Sequence, residues 1–282
     1  MRKNQPALLL AFALLLSLAP EAARQTATQQ AKPASTTSAG RAAAPRPGEK
    51  VVPFRPGETL TYDVSWSSFL TAGTATVAVR DKRASYGSTA YYIVAEGRPT
   101  PLLARLYSVY YKADTLMDVY SLLPQRGSIY SNEDGDRRMK TTRFDRAART
   151  ARYEVQASTV TERNLRIPSD THDALSAIYS VRAQALVRGA KMSIPVADNG
   201  ELLTVQFTVG AREPVRTGIG TVTAWRIVPA IYDAHGRPET TRRLALWISD
   251  DGRRLPLKMQ AELAVGTFDF TLRSASGTPA GP

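Results

Sequence analysis

Chemistry in a chain without cysteine falls first to histidine and its acidic neighbours, and only two histidines are present. His172 stands in Asp170-Thr171-His172-Asp173. An imidazole flanked by two carboxylates can hold a metal ion or poise a general base. Acids placed where helical periodicity begins also have a plainer use, since they cap free N–H groups and complement the helix dipole. His235 lies in Asp233-Ala234-His235-Gly236-Arg237-Pro238, the composition of a solvated turn. The absence of cysteine excludes disulfides, thiolate metal sites, a cysteine nucleophile and a lipidated N-terminal cysteine. No Gly-x-Ser-x-Gly elbow presents a serine. Asn132-Glu133-Asp134-Gly135-Asp136 has acids without the spacing of a calcium loop, and Gly218-Ile219-Gly220 lacks the strand-to-helix setting of a phosphate loop. The 25 Asp and Glu residues single out no pair for glycoside chemistry. The expectation is a non-catalytic protein with no cofactor, no catalytic residues and no metal beyond the candidate group Asp170, His172 and Asp173. A hydrolase, the third reading, would need His172 or converging acids at the mouth of a pocket.

Aromatic and basic residues suggest binding. Tyr62, Trp66, Tyr91, Tyr92, Tyr107, Tyr110, Tyr111 and Tyr120 crowd the first half of the chain. They serve either as ordinary core or as walls of a cleft for an acyl chain or glycan. Tyr62, Trp66, Tyr92 and Tyr111 are the candidate wall. Arg137, Arg138, Lys140, Arg143, Arg146, Arg149 and Arg152 form a basic stretch, from which Arg138 and Arg143 are the candidate contacts to anionic lipid headgroups or lipopolysaccharide phosphates. The formal net charge of +12 agrees with acidic partners and says nothing about fold.

These side chains depend on the elements that carry them. Arg2 and Lys3 precede an apolar run, Ala7 to Ala19, with small residues after it, the layout of a signal peptide over residues 1–23. That run falls short of the roughly 20 residues needed to span a bilayer. The expectation is export to the periplasm, with no integral membrane segment after cleavage and no nucleic-acid partner. Residues 24–53, rich in Ala, Thr and Pro, read as a disordered leader. Residues 54–273 read as one β-rich domain, and residues 274–282 as a disordered tail.

Within the domain, Thr59 to Trp66 alternates polar and apolar residues, the period of a strand with one face on a core. The same period recurs at Thr74–Arg80, Leu203–Val209, Leu255–Met259 and Phe268–Leu272. Gly73 and Gly87 read as turns, and Asp134-Gly135 and Asn199-Gly200 as hairpins. Pro101 opens a short helix. One long helix is expected from an Asp170 cap, with Asp173 in its first turn, to Gly189. The sum is mainly β: some twelve antiparallel strands in a large curved sheet, half-barrel or barrel-like, with one long helix packed on its concave face.

Several segments resemble a bacterial envelope family, domain of unknown function family 3108. They are Phe54-Arg55-Pro56-Gly57-Glu58-Thr59-Leu60-Thr61-Tyr62-Asp63-Val64-Ser65-Trp66, Asp173-Ala174-Leu175-Ser176-Ala177-Ile178-Tyr179-Ser180-Val181-Arg182, and Trp247-Ile248-Ser249-Asp250-Asp251. Leu122-Leu123-Pro124, Thr142-Arg143-Phe144-Asp145 and the ending Gly266-Thr267-Phe268-Asp269-Phe270-Thr271-Leu272 belong to the same likeness. The resemblance implies a periplasmic β-rich domain and transfers no catalytic residue. The closing hairpin is also similar in shape to the carriers that move lipoproteins between bacterial membranes. The leading expectation is therefore an envelope protein that binds an amphiphile: a lipid, a lipoprotein or a lipopolysaccharide component. The alternative is an assembly factor docking an envelope protein through a sheet edge. A carrier needs an apolar cavity of roughly several hundred Å³, whereas an edge-docking protein tolerates a filled core.

Overall fold

The computed structural model describes residues 48–67, 70–106, 109–239, 243–263 and 266–279. The expected signal peptide, the leader as far as residue 47, Tyr107 and residues 280–282 lie outside the described residues.

Among the described residues, fourteen strands form one antiparallel sheet. The outward run comprises β1 (Thr59–Trp66), β2 (Leu70–Ser85), β3 (Ser88–Pro99), β4 (Val109–Asp118), β5 (Pro124–Glu133), β6 (Asp136–Asp145), β7 (Thr150–Gln156) and β8 (Val160–Arg166). The return run comprises β9 (Lys191–Asp198), β10 (Glu201–Thr217), β11 (Gly220–Tyr232), β12 (Arg243–Ser249), β13 (Pro256–Leu263) and β14 (Gly266–Ser276). Helix α1 (Pro101–Leu106) joins β3 to β4, and helix α2 (Ala174–Arg182) joins the two runs. Each run is a meander of neighbours, and β14 closes against β1 with Val64 opposite Phe270. The first and last strands thus lie at the centre, and β8 and β9 are the two edges.

A sheet of this width curls rather than staying flat, and α2 shows around what. Leu175 and Tyr179 pack with Val79, Ile93 and Ala113 of β2, β3 and β4. Ala177 and Val181 pack with Val196, Val205 and Ile248 of β9, β10 and β12. One nine-residue helix touches both arms of the sheet, so the arms wrap it and α2 lies on the concave face. The arms also meet near the edges. Lys140 Nζ of β6 and the Tyr153 hydroxyl of β7 donate to Asn199 Oδ1 in the β9–β10 turn, at 3.1 and 3.4 Å. The barrel-like shape is fastened there by side chains, because β8 and β9 share no ladder.

Several expectations need correction. The described residues form fourteen strands rather than some twelve, and β9, with Met192, Ile194 and Val196 at alternate positions, is one of those added. Gly73 is not a turn but an interior residue of β2, where an added Cβ would lie 2.2 Å from the Arg98 carbonyl oxygen. Asp173, not Asp170, caps α2: its Oδ1 accepts from Ser176 N at 2.8 Å, while Ser176 Oγ accepts from Asp173 N at 3.1 Å. The helix ends at Arg182 with Ala183 as C-cap, and Gly189 instead turns the chain into β9 by donating to the Val209 carbonyl. Residues 274–276 are not tail, since Ser274, Ala275 and Ser276 pair with Thr61, Leu60 and Thr59. At the other end Val52 packs on the core and Lys50 N donates to the Val119 carbonyl, so the leader is ordered before residue 54.

Candidate functional site

Period-two alternation in β1 sends Leu60, Tyr62 and Val64 to the core face. Ala75 of β2 stands opposite Tyr62, and Gly97 of β3 opposite Ala75. Small residues beside a large ring leave a hollow that α2 roofs over. The result is an apolar cavity of ≈ 70 Å³. Its wall includes Tyr62, Ala75 and Phe270 from the sheet and Leu175, Ile178 and Tyr179 from the helix. Ile178, Val77 and Met259 border it while only half-buried.

Beside this hollow lies a buried polar cluster. Arg182 Nη1 and Nη2 donate to Glu58 Oε1 and Oε2 at 2.6 and 2.9 Å, with both side chains wholly buried. Arg182 Nε donates to the Arg254 carbonyl at 2.9 Å, and the guanidinium lies 4.8 Å from the Tyr179 ring centre and 5.3 Å from that of Phe54. The Tyr62 hydroxyl donates to the Pro256 carbonyl at 2.9 Å. The Tyr179 hydroxyl is buried against this cluster, with the Arg182 guanidinium as its polar neighbour. Burial pushes both phenols well above their ordinary range, so each remains protonated.

A second hollow of ≈ 30 Å³, with several polar side chains in its wall, sits where the arms meet. It shares Leu175 with the apolar cavity and is bounded by Asp114, Lys140, Asp173 and Asn199. Burial raises the Asp173 carboxyl above the usual carboxylate range despite the bonds it accepts from Ser176 N and the Thr115 hydroxyl. His172 is pushed down to about 4 by burial, with Arg146 nearby acting in the same direction. Its Nδ1 lies 3.2 Å from Ser176 Oγ, and its backbone bridges Val196 of β9. Asp173 is engaged in capping and Asp170 is exposed, so the three residues do not converge. No group of three His, Asp or Glu residues able to hold a metal occurs among the described residues.

The other candidate residues scatter. Trp66, at the end of β1, stacks on Phe268 with ring centres 6.2 Å apart and does not line the cavity. Tyr111 is buried and donates to Glu133 Oε1 at 2.5 Å. Tyr92 is half-buried, with the Arg83 guanidinium 3.9 Å from its ring centre. Arg138 Nη2 donates to Asp136 at 3.0 Å, and Arg143 Nη1 to Glu154 at 3.5 Å. An odd separation along one unbroken strand puts Arg138 and Arg143 on opposite faces of β6, so they cannot grip one headgroup together. Sequence reasoning missed Tyr179, Arg182 and Glu58 as parts of a site, although all three lie in the quoted segments. Their signal was charge: an acid just before an apolar strand and an arginine at the end of an apolar helical stripe.

Fold and cavity together define an open antiparallel β-sheet wrapped on one helix, with an apolar hollow between them. The pattern of the family described as "Protein of unknown function (DUF3108)" matches residues 61–273, and the chain belongs to that family. No curated protein matches the chain. Among solved structures, it is similar to a β-barrel-like protein of domain of unknown function DUF1849 from Brucella abortus, at 11% identity and TM-score 0.49, covering 80% of this chain and 98% of that one. It is also similar to a protein with a YmcC-like fold from Bacteroides fragilis, at 11% identity and TM-score 0.34, covering 80% of this chain and all of that one. No helix among the described residues is long and apolar enough to cross a membrane.

Proposed function

We propose that the protein is an exported envelope component that binds the apolar chain of an amphiphile without catalysing a reaction on it. The observation that carries this reading is the hollow between α2 and the centre of the sheet, walled almost entirely by apolar groups. Water gains little in such a space, whereas methylene groups gain about 0.8 kcal/mol each on burial. At ≈ 70 Å³ the hollow falls short of the roughly several hundred Å³ expected of a carrier of whole lipids, which narrows the reading to a protein that holds a chain end. The Arg2-Lys3 and Ala7–Ala19 layout supports export.

The test is to isolate the protein gently from the periplasm and extract it with organic solvent for mass spectrometry. A stoichiometric acyl compound supports the reading. A ligand-free protein that also refuses added lipid removes it and favours the second reading, docking of a protein partner. That second reading rests on β8, an edge strand exposed at every residue but Leu165.

A further inference from the structure

The two edges of the sheet are finished differently. At β9 the chain covers itself: His172 N donates to the Pro195 carbonyl at 2.8 Å, and Ala197 N donates to the His172 carbonyl at 2.8 Å. At β8 no described strand lies alongside. Its residues, Val160-Thr161-Glu162-Arg163-Asn164-Leu165-Arg166, include no proline, glycine or lysine, and they pair with β7 without a bulge. Natural edges are blunted by such devices, since an open and regular strand invites another. Ile167 N donates to the Arg149 carbonyl, which continues the β7–β8 register and sets its phase: odd-numbered residues turn their backbone groups toward β7. The N–H and C=O groups of Val160, Glu162, Asn164 and Arg166 therefore face away from the sheet.

We propose that the partner at this edge is β8 of a second copy, joined antiparallel about a two-fold axis at Asn164, so that the two sheets continue as one. A two-fold axis normal to the sheet must keep facing side chains on the same surface, which leaves only registers centred on a residue. Centring on Glu162 sets acid against acid, and centring on Arg163 sets arginine against arginine. Centring on Asn164 sets each Glu162 opposite the other copy's Arg166, twice per dimer, with Arg163 opposite Leu165. Charge selects this register, because opposite charges facing across a ladder stabilise it and like charges destabilise it. Within one copy Glu162 stands opposite Glu154, a like-charge pair that the bond from Arg152 to Glu162 offsets. Arg166 stands opposite Thr150, is exposed, and holds no carboxylate among the described residues. Dimerisation at β8 is independent of the cavity and needs no ligand in it. A single short ladder buries less surface than a standard interface, so the dimer is weak and depends on concentration.

The test is sedimentation equilibrium of the protein purified from the periplasm, from about 1 μM to about 1 mM, repeated on variants of β8. Wild type should pass from monomer to dimer within this range. Glu162→Arg and Arg166→Glu should each weaken dimerisation about tenfold, because two facing pairs per dimer become repulsive. The exchange of both, Glu162→Arg with Arg166→Glu, should restore it to within about threefold of wild type. Asn164→Pro should abolish the dimer by removing the central donor, and should leave the monomer's melting temperature near that of wild type, since the lost N–H faces away from β7. A wild type that stays monomeric at about 1 mM overturns the proposal whatever the variants do, and leaves the edge to a different protein. A dimer that persists in Asn164→Pro places the interface elsewhere and overturns it too. So does a double exchange that stays as weak as the single changes.

Discussion

Arg182 and Glu58 stand 124 residues apart in the chain and meet as a bidentate ion pair with no solvent exposure of either side chain. The pair joins the end of α2 to the residue just before β1, and Arg182 also holds the Arg254 carbonyl of the β12–β13 turn. Three parts of the fold are thus tied at one point beside the cavity. Removing one member leaves a buried charge uncompensated, and Glu58→Gln or Arg182→Met should each cost about 3–5 kcal/mol in urea unfolding. The double change Glu58→Leu with Arg182→Met should recover much of that loss. Single variants within about 1 kcal/mol of wild type would show that the pair does not hold the helix in place.

His172 makes stability depend on pH. Its folded pKa of about 4 lies below the ordinary 6.5, because burial opposes the charged ring. Between those values the unfolded chain binds a proton that the folded chain does not. The contribution is therefore fully present above pH 6.5 and is lost as pH falls toward 4, by about 3 kcal/mol in all. Asp173 acts in the opposite direction, since its raised pKa favours the folded state as pH falls. Urea midpoints at pH 7, 5.5 and 4 should drop less steeply in His172→Gln than in wild type. Parallel slopes would mean that His172 takes up its proton over the same pH range in the folded and unfolded chain.

Gly200 tests the fastening between the arms. Its φ of +74° suits glycine, and an added Cβ would lie 2.7 Å from Tyr153 Cδ1 and 3.0 Å from Arg163 Cδ. Gly200→Ala should destabilise by about 1–3 kcal/mol through backbone strain and displacement of the Tyr153 ring. An unchanged melting temperature would show that the arms are not in firm contact at this turn.

Ala75→Leu would place three extra carbons in the apolar cavity opposite Tyr62. Stability should change by no more than about 1–3 kcal/mol, while extractable acyl compound should fall to a small fraction of the wild-type amount. Full retention of that compound would place the ligand elsewhere.

Arg138 and Arg143 remain candidates for contact with an anionic surface, one from each face of β6. Each already holds a carboxylate, Asp136 or Glu154. The double change Arg138→Gln with Arg143→Gln should weaken binding to anionic vesicles at low salt, chiefly through Arg143, the more exposed of the two. Undiminished vesicle binding removes the electrostatic contact without touching the cavity.

Local physics made much of the fold legible. Alternation at Leu60, Tyr62 and Val64 marked a core-facing strand, and Asp134-Gly135 and Asn199-Gly200 turn their hairpins with positive φ at all four residues. The apolar spacing of Leu175 and Ile178 marked a helix with a buried side. The site was less legible. Tyr62 is in the cavity wall, yet Trp66, on the same face of β1, stacks on Phe268 outside it. The opposite faces of Arg138 and Arg143 could have been read from their odd spacing alone.

By itself the sequence determined the strand and helix periods, the turns and the chemistry absent from the chain, because each depends on residues within a few positions of one another. Only the tertiary structure decided that β1 and β14 share the centre, that α2 lies between the arms, and that Glu58 meets Arg182. It also decided that Tyr179 lies between the Arg182–Glu58 pair and an apolar hollow. These are contacts between residues far apart in the chain, and no local period encodes which distant surface a side chain will meet.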